Sequence, residues 1–200
     1  MLGLLFSMVV TLLPVVIYQF LMVKMGRMLT DTHRNCTYIL VFYVWAVFIL
    51  KGIGSVYDIS ALGGLRASID QANICWIPFQ EGVIKTAVLN VLLFLPLGFG
   101  LPHVWLNFRS ALKVTVVGAA LSGLVELAQI PTQHSVDLED FLMNILGTVL
   151  GYLFWKHIGN YVFQGHVSRR IVALSNNEPL VYIMMGFICQ FFFFSWRWFV

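Results

Sequence analysis

Charge is what this sequence has least of: 12 Lys and Arg and 9 Asp and Glu in 200 residues, against 60% hydrophobic side chains and a mean hydropathy of +0.86. A soluble domain of this length cannot hide so much apolar surface, which leaves an integral membrane protein. Cysteine is also sparse. Cys36 and Cys75 fall at opposite ends of the spans read below and Cys189 lies inside the last one, which excludes a disulfide framework. Basic residues are missing before the first apolar run and follow it at Lys24 and Arg27, so Met1 to Val23 reads as a retained span with its start outside. The net charge of +3 then reflects membrane orientation, and nothing points to nucleic acid.

What the chain does have is apolar runs near the length a bilayer demands. A hydrocarbon core of roughly 30 Å takes about 20 helical residues. Six stretches come close: Leu2 to Val23, Cys36 to Ile53, Val83 to Leu101, Leu112 to Ile130, Leu138 to Ile158 and Leu180 to Phe199. The second is short and the third contains Pro96, irregularities that helix packing absorbs. The expected fold is therefore all-α, a polytopic bundle of about six transmembrane helices.

Lysine and arginine set the orientation. Lys24, Arg27 and Arg34 share the first loop, Arg109 and Lys113 the third, and Lys156, Arg169 and Arg170 the fifth, which marks those loops as cytoplasmic and the bundle as N-out and C-out. The other side carries Lys51, Arg66, Lys85 and Arg197 mixed with the acids Asp58, Asp70, Glu81, Asp137, Glu139 and Asp140. On that side the loop from Gly54 to Lys85 is too long for a turn. Ile59, Leu62, Leu65 and Ile69 recur in it at helical spacing, as expected of a short amphipathic piece in the interface. Trp76, Ile77, Pro78 and Phe79 follow, as an aromatic belt contact or a grip on a lipid tail.

Two polar stripes cross this apolar background. Asp137, Asp140, Asn144, Gly147 and Gly151 step by 3 and 4 and so share one helix face. Thr115, Gly118, Ser122, Glu126, Gln129 and Gln133 form a matching stripe on the preceding span. Small residues at this spacing let backbones approach, so the inner halves of spans four and five are expected to pack on each other. The short turn at Pro131 makes them antiparallel, which sets Gln129 level with Asp137 and Glu126 level with Asp140 or Asn144. Asn90, on span three, falls at a comparable depth.

Polar groups from three helices thus converge just beneath the outer surface. Two acids in a poorly hydrated site need a cation or a proton between them, and Lys85, Arg66, His134 or a hard metal such as Mg²⁺ or Ca²⁺ would serve. The same residues also suit a hydrogen-bonded clamp between helices. No cofactor is called for. No strong nucleophile stands out either, since Ser122 lies lower on its face and Cys75 sits in the long loop without a histidine in view.

Asn90 with Phe94, Pro96 and Gly98, then Glu126 and Gln129, then Asp137, Asp140, Asn144, Gly147 and Gly151 resemble the VanZ-like family of bacterial membrane proteins, as does the Ile77, Pro78, Phe79 segment. The likeness covers roughly residues 73 to 155. It divides the chain into two leading spans with the start of the outer loop (1–72), a family-like core (73–160) and a basic loop with the final span (161–200). One departure is His134, three positions before Asp137, where the family usually carries Arg; a fixed ion pair there gives way to a pH-dependent one.

The resemblance implies a multi-pass protein of the bacterial cell membrane linked to resistance against teicoplanin and related lipoglycopeptides, with little effect on vancomycin. Joined to the topology, it suggests a binding role in which Asn90, Glu126, Gln129, Asp137, Asp140 and Asn144 hold the polar part of a lipoglycopeptide or a lipid-linked cell-wall precursor, among membrane lipids. An enzyme with Glu126 or Asp140 as acid or base, a transporter broken at Pro96, and a partner-binding scaffold are the competing readings.

Overall fold

A computed structural model describes residues 2–27, 30–75, 84–132, 134–159, 161 and 177–198. The elements in chain order are α1 (Leu2–Lys24), α2 (Asp31–Lys51), α3 (Val56–Ala61), α4 (Leu65–Asp70), β1 (Ile74–Cys75), α5 (Ile84–Val104), α6 (Ala111–Gln129), β2 (Val136–Asp137), α7 (Leu138–Phe154) and α8 (Glu178–Phe193). Five helices are long and apolar enough to cross a membrane. The sixth expected span, α8, has 16 residues and is the shorter one. At 1.5 Å per residue it reaches about 24 Å, less than a full hydrocarbon core.

Helix α1 carries the signature of a lipid-facing element turned outside in. Its buried stripe is Gly3, Ser7, Thr11, Val15 and Gln19, small or polar at every fourth residue, while Leu5, Val9, Leu13, Ile17 and Phe20 are exposed. Such a stripe gains nothing from water and packs by close approach and hydrogen bonds instead. Ser7 and Thr11 hydroxyls both donate to Gln190 Oε1 of α8 at 3.1 Å, and Trp45 Nε1 of α2 donates to Ser7 Oγ at 2.9 Å. Gln19 reaches Tyr182 at the other end of α8, so α1 and α8 run antiparallel.

The second span is longer than its apolar run. Thr30 caps it through His33 N, and its first turns, Asp31 to Asn35, are polar, which is why hydropathy alone starts it at Cys36. Helix α5 continues unbroken through Pro96 and Pro102. The amphipathic piece of the long loop is two helices, α3 and α4, because Gly63 and Gly64 sit at φ 92° and 106° and end the first before the second begins. Trp76, Ile77, Pro78, Phe79 and Glu81 lie outside the described residues, as do Gln133, Arg169 and Arg170.

Contacts at the helix ends fix the alternation. Phe6 at the start of α1 meets Phe194 and Trp198 beyond α8, Tyr57 of α3 meets Trp198, and Arg197 pairs with Asp58 at 2.8 Å. The starts of α5 and α7 and the ends of α2 and α6 gather at this same end. Lys24, Arg34, Arg109 and Lys156 mark the opposite end, where Arg109 lies over the Trp155 ring.

The tightest pairing differs from the expected one. Gly147 and Gly151 of α7 face α5, where an added Cβ would fall 2.3 Å from the Val91 carbonyl oxygen and 2.1 Å from that of Leu95. Gly98 of α5 faces back, 1.9 Å by the same measure from Thr148 O. Glycine hydrogens aimed at carbonyls in this way make Cα–H···O contacts between parallel helices. The α6 stripe also packs on α7, as expected, through Gly118 against Thr148 and Ser122 against Asn144. The glycines of span five thus pack on span three, and span four contributes the polar side.

Candidate functional site

Where α2 ends, the chain needs acceptors and donors from elsewhere. Gly52, left-handed at φ 64°, closes the helix and leaves the last carbonyls without intrahelical partners. Gln129 Nε2 donates to Lys51 O at 2.7 Å, Thr132 Oγ1 lies 3.2 Å from Gly52 O, and Gly54 N donates to Ala128 O at 2.7 Å. These contacts stitch the end of α2 to the end of α6. They also fix where the Lys51 side chain must go.

Lys51 extends into the bundle, 7% exposed, and its ammonium meets Asp140 Oδ2 at 2.7 Å. Glu126 Oε1 lies 3.9 Å from the same nitrogen. Asn90 of α5 donates from Nδ2 to Asp140 Oδ1, so Asp140 is held on both oxygens. Glu126 is held on one only: Oε2 accepts from Asp137 N at 3.2 Å, while Oε1 is buried without a hydrogen bond. A lysine at a helix C-terminus and two acids around the start of another also suit the two helix dipoles.

Four of the residues expected to form the site, Asn90, Glu126, Gln129 and Asp140, therefore gather around Lys51. The other two do not join them. Asp137 turns its carboxylate to Ser135 Oγ at 2.8 Å and lends only its backbone N–H to Glu126. Asn144 lies a turn deeper and donates to Ser122 Oγ at 2.9 Å. Glu126 stands level with Asp140 in the first turn of α7, as expected, Ser122 is level with Asn144, and Gln129 points past α7 to α2.

The cation was the missed residue. Lys85 is exposed on α5, Arg66 is exposed on α4, and the exposed His134 imidazole lies 3.0 Å from Thr132 Oγ1 instead of an acid. Lys51 had counted only as a loop charge. The available signal was its place as the final residue of an apolar run, directly before glycine, where an unpaired ammonium would be costly. Among the described residues no three His, Cys, Asp or Glu side chains are grouped to hold a metal. The lysine ammonium occupies the position between the two acids.

Beside this cluster a cavity of about 750 Å³ opens between α2 and α5. Lys51, Asn90, Gln129, His134 and Asp140 form its polar end, and Ile49, Leu50, Leu89, Leu92 and Leu93 its apolar walls. Leu50, Leu89 and Leu92 are more than half exposed, so the mouth faces the surface that lipid would cover. Such a cavity presents a carboxylate, carboxamides, an ammonium and an imidazole at one end and hydrocarbon along the rest. That lining would suit an amphiphile.

The parallel pair β1–β2 sets Cys75 opposite Asp137 and ties the long loop to the start of α7. The Asp137 carboxylate beside it pushes the Cys75 thiol above its ordinary value, which suppresses thiolate. Ser122 Oγ is buried against Asn144. Neither group is arranged as an activated nucleophile.

A family model described as VanZ/LLP1 matches residues 4–163. The match begins in α1 and ends beyond α7, so it takes in the first two helices, and with them Lys51, as well as the stretch that carried the resemblance. No curated protein and no solved structure gives a significant match.

Proposed function

The chain belongs to the VanZ/LLP1 family, and from that premise we propose that it gives low-level resistance to teicoplanin and related lipoglycopeptides by binding the drug or a lipid-linked cell-wall precursor at the outer leaflet of a bacterial cell membrane. One observation carries this reading: the cavity between α2 and α5 is apolar along its walls and polar at one end, where Lys51, Asn90, Gln129 and Asp140 line it. A ligand with a hydrocarbon part and a polar head fits it, and a water-soluble glycopeptide without a tail does not.

Orientation supports the outer leaflet. Lys24, Arg27, Arg34, Arg109, Lys113 and Lys156 lie at the end away from the cluster, which the positive-inside rule makes cytoplasmic. The cluster then opens where lipoglycopeptides and exported precursors meet the cell. Lys51, Asn90, Asp140 and Gln129 would engage the head, and Leu50, Leu89 and Leu92 the chain.

The test is growth inhibition of a sensitive Gram-positive host by teicoplanin and by vancomycin, with the native chain, Glu126→Gln or Asp140→Asn present at matched membrane levels. Protection against teicoplanin alone, lost in both variants, supports the reading. No protection by the native chain overturns it.

A further inference from the structure

The α2–α5 seam does not end with the first cavity. A second one, about 360 Å³, continues along the same two helices toward the basic end, walled by Ile39 and Tyr43 on one side and Phe99, Gly100 and Trp105 on the other. Tyr43 stands between the two, its hydroxyl donating to Leu93 O at 2.7 Å, and Leu93 lines the first cavity. From Lys51 to Cys36, which also lines the second cavity, the seam runs along about 22 Å of helix. That is well beyond the half-thickness of a core of roughly 30 Å.

Gly100 separates this groove from ordinary helix packing. An added Cβ at Gly98, Gly147 or Gly151 would strike a backbone carbonyl, so those glycines serve helix contact. At Gly100 an added Cβ meets nothing within 4 Å. The missing side chain there makes room for something other than a neighbouring helix, and the surrounding walls are hydrocarbon and aromatic.

We propose that the seam is a tail groove: it takes the single hydrocarbon chain of an amphiphile whose head, rich in hydroxyl or amine donors, sits at the Lys51 cluster. This rests on the head-binding reading above. Donors are specified because two acids face one lysine and Gln129, which lines the cavity, has no hydrogen bond on Oε1, a balance that favours groups giving hydrogen bonds over a phosphate. One chain is specified because the second cavity lies on the same two-helix seam as the head site, with the Tyr43–Leu93 contact between them for a single chain to pass.

The experiment uses the full chain in phosphatidylcholine nanodiscs and two photoreactive probes, hexadecyl glucoside and octyl glucoside, each with a diazirine at the chain end. The hexadecyl probe is expected to label residues 36–43 and 96–105, with labelling competed by unlabelled hexadecyl glucoside. Gly100→Leu, or Ile39→Trp from the opposite wall, should weaken that competition severalfold and move the label to residues 89–93. The octyl probe reports the head alone: it should label 89–93 in the native chain and in Gly100→Leu, and fail in Lys51→Met. Labelling of the inner residues that unlabelled probe cannot compete means bulk lipid fills the seam and overturns the groove. Competition unchanged in both plugged variants overturns it too and leaves the head reading intact. Absence of competed octyl labelling in the native chain overturns the head reading, and a competed, Gly100-sensitive hexadecyl label beside that result upholds the groove on its own.

Discussion

The bundle buries an acid at each end, and the two are treated very differently. At the basic end Glu178 is fully enclosed, and both of its oxygens are occupied: Oε2 accepts from His33 Nε2 at 2.7 Å and Trp105 Nε1 at 3.0 Å, and Oε1 accepts from the Tyr182 hydroxyl. The His33 and Trp105 rings meet edge to face. At the other end Asp140 is 16% exposed, Glu126 keeps an oxygen without a hydrogen bond, and a cavity of about 750 Å³ stands beside them. A carboxylate with every lone pair committed joins helices. Asp140, partly exposed and lining the cavity, is the carboxylate that the proposed ligand would meet.

The comparison breaks first at Glu178. Glu178→Ala strips the acceptor from His33, Trp105 and Tyr182 together and should cost about 3–5 kcal/mol, read as a lower melting temperature and poor recovery of monodisperse protein. Stability unchanged within error would remove the structural half of the contrast. Next in size is the α5–α7 contact. Gly151→Leu places its Cβ against the Leu95 carbonyl, an overlap no rotamer relieves, and should cost about 3 kcal/mol, while Gly100→Leu is neutral in the same thermal assay.

The Lys51–Asp140 pair sharpens the comparison. Lys51→Met or Asp140→Asn alone leaves a partner uncompensated, and the double variant should recover part of the loss, with a coupling of about 1 kcal/mol in a double-mutant cycle. Protection should be absent in all three. Recovery of protection with recovery of stability would assign the pair to packing alone. The smallest effect concerns Cys75. Its raised thiol value predicts slow alkylation near pH 7 that quickens as pH rises; Asp137→Asn should lower the thiol value and speed the reaction at neutral pH. An unchanged rate would show that the carboxylate does not act on the thiol.

Most of the fold was legible because apolar runs of bilayer length leave few alternatives, and the alternating basic loops predicted which helix ends would share a side. The site was legible in part. The stripe from Asp137 to Gly151 was read as one face, but α7 lies between two helices, so that face divides: Asp140 turns to α2 and α5, Asn144 to α6, and the glycines to α5. Periodicity identifies a face and says nothing about which neighbour it meets. Lys51 pairs with a residue 89 positions away, and His33 with one 145 away, separations that no local pattern encodes. Glu178 stands at the start of an apolar helix, and only tertiary packing encloses it.

The most direct measurement sets Asp140→Asn against Glu178→Gln in one host, recording membrane protein level and teicoplanin inhibitory concentration for each. Asp140→Asn at native level without protection, together with Glu178→Gln losing protection only in proportion to its level, is the predicted result. Protection that follows protein level in both variants would contradict it and make the Lys51 cluster a second clamp.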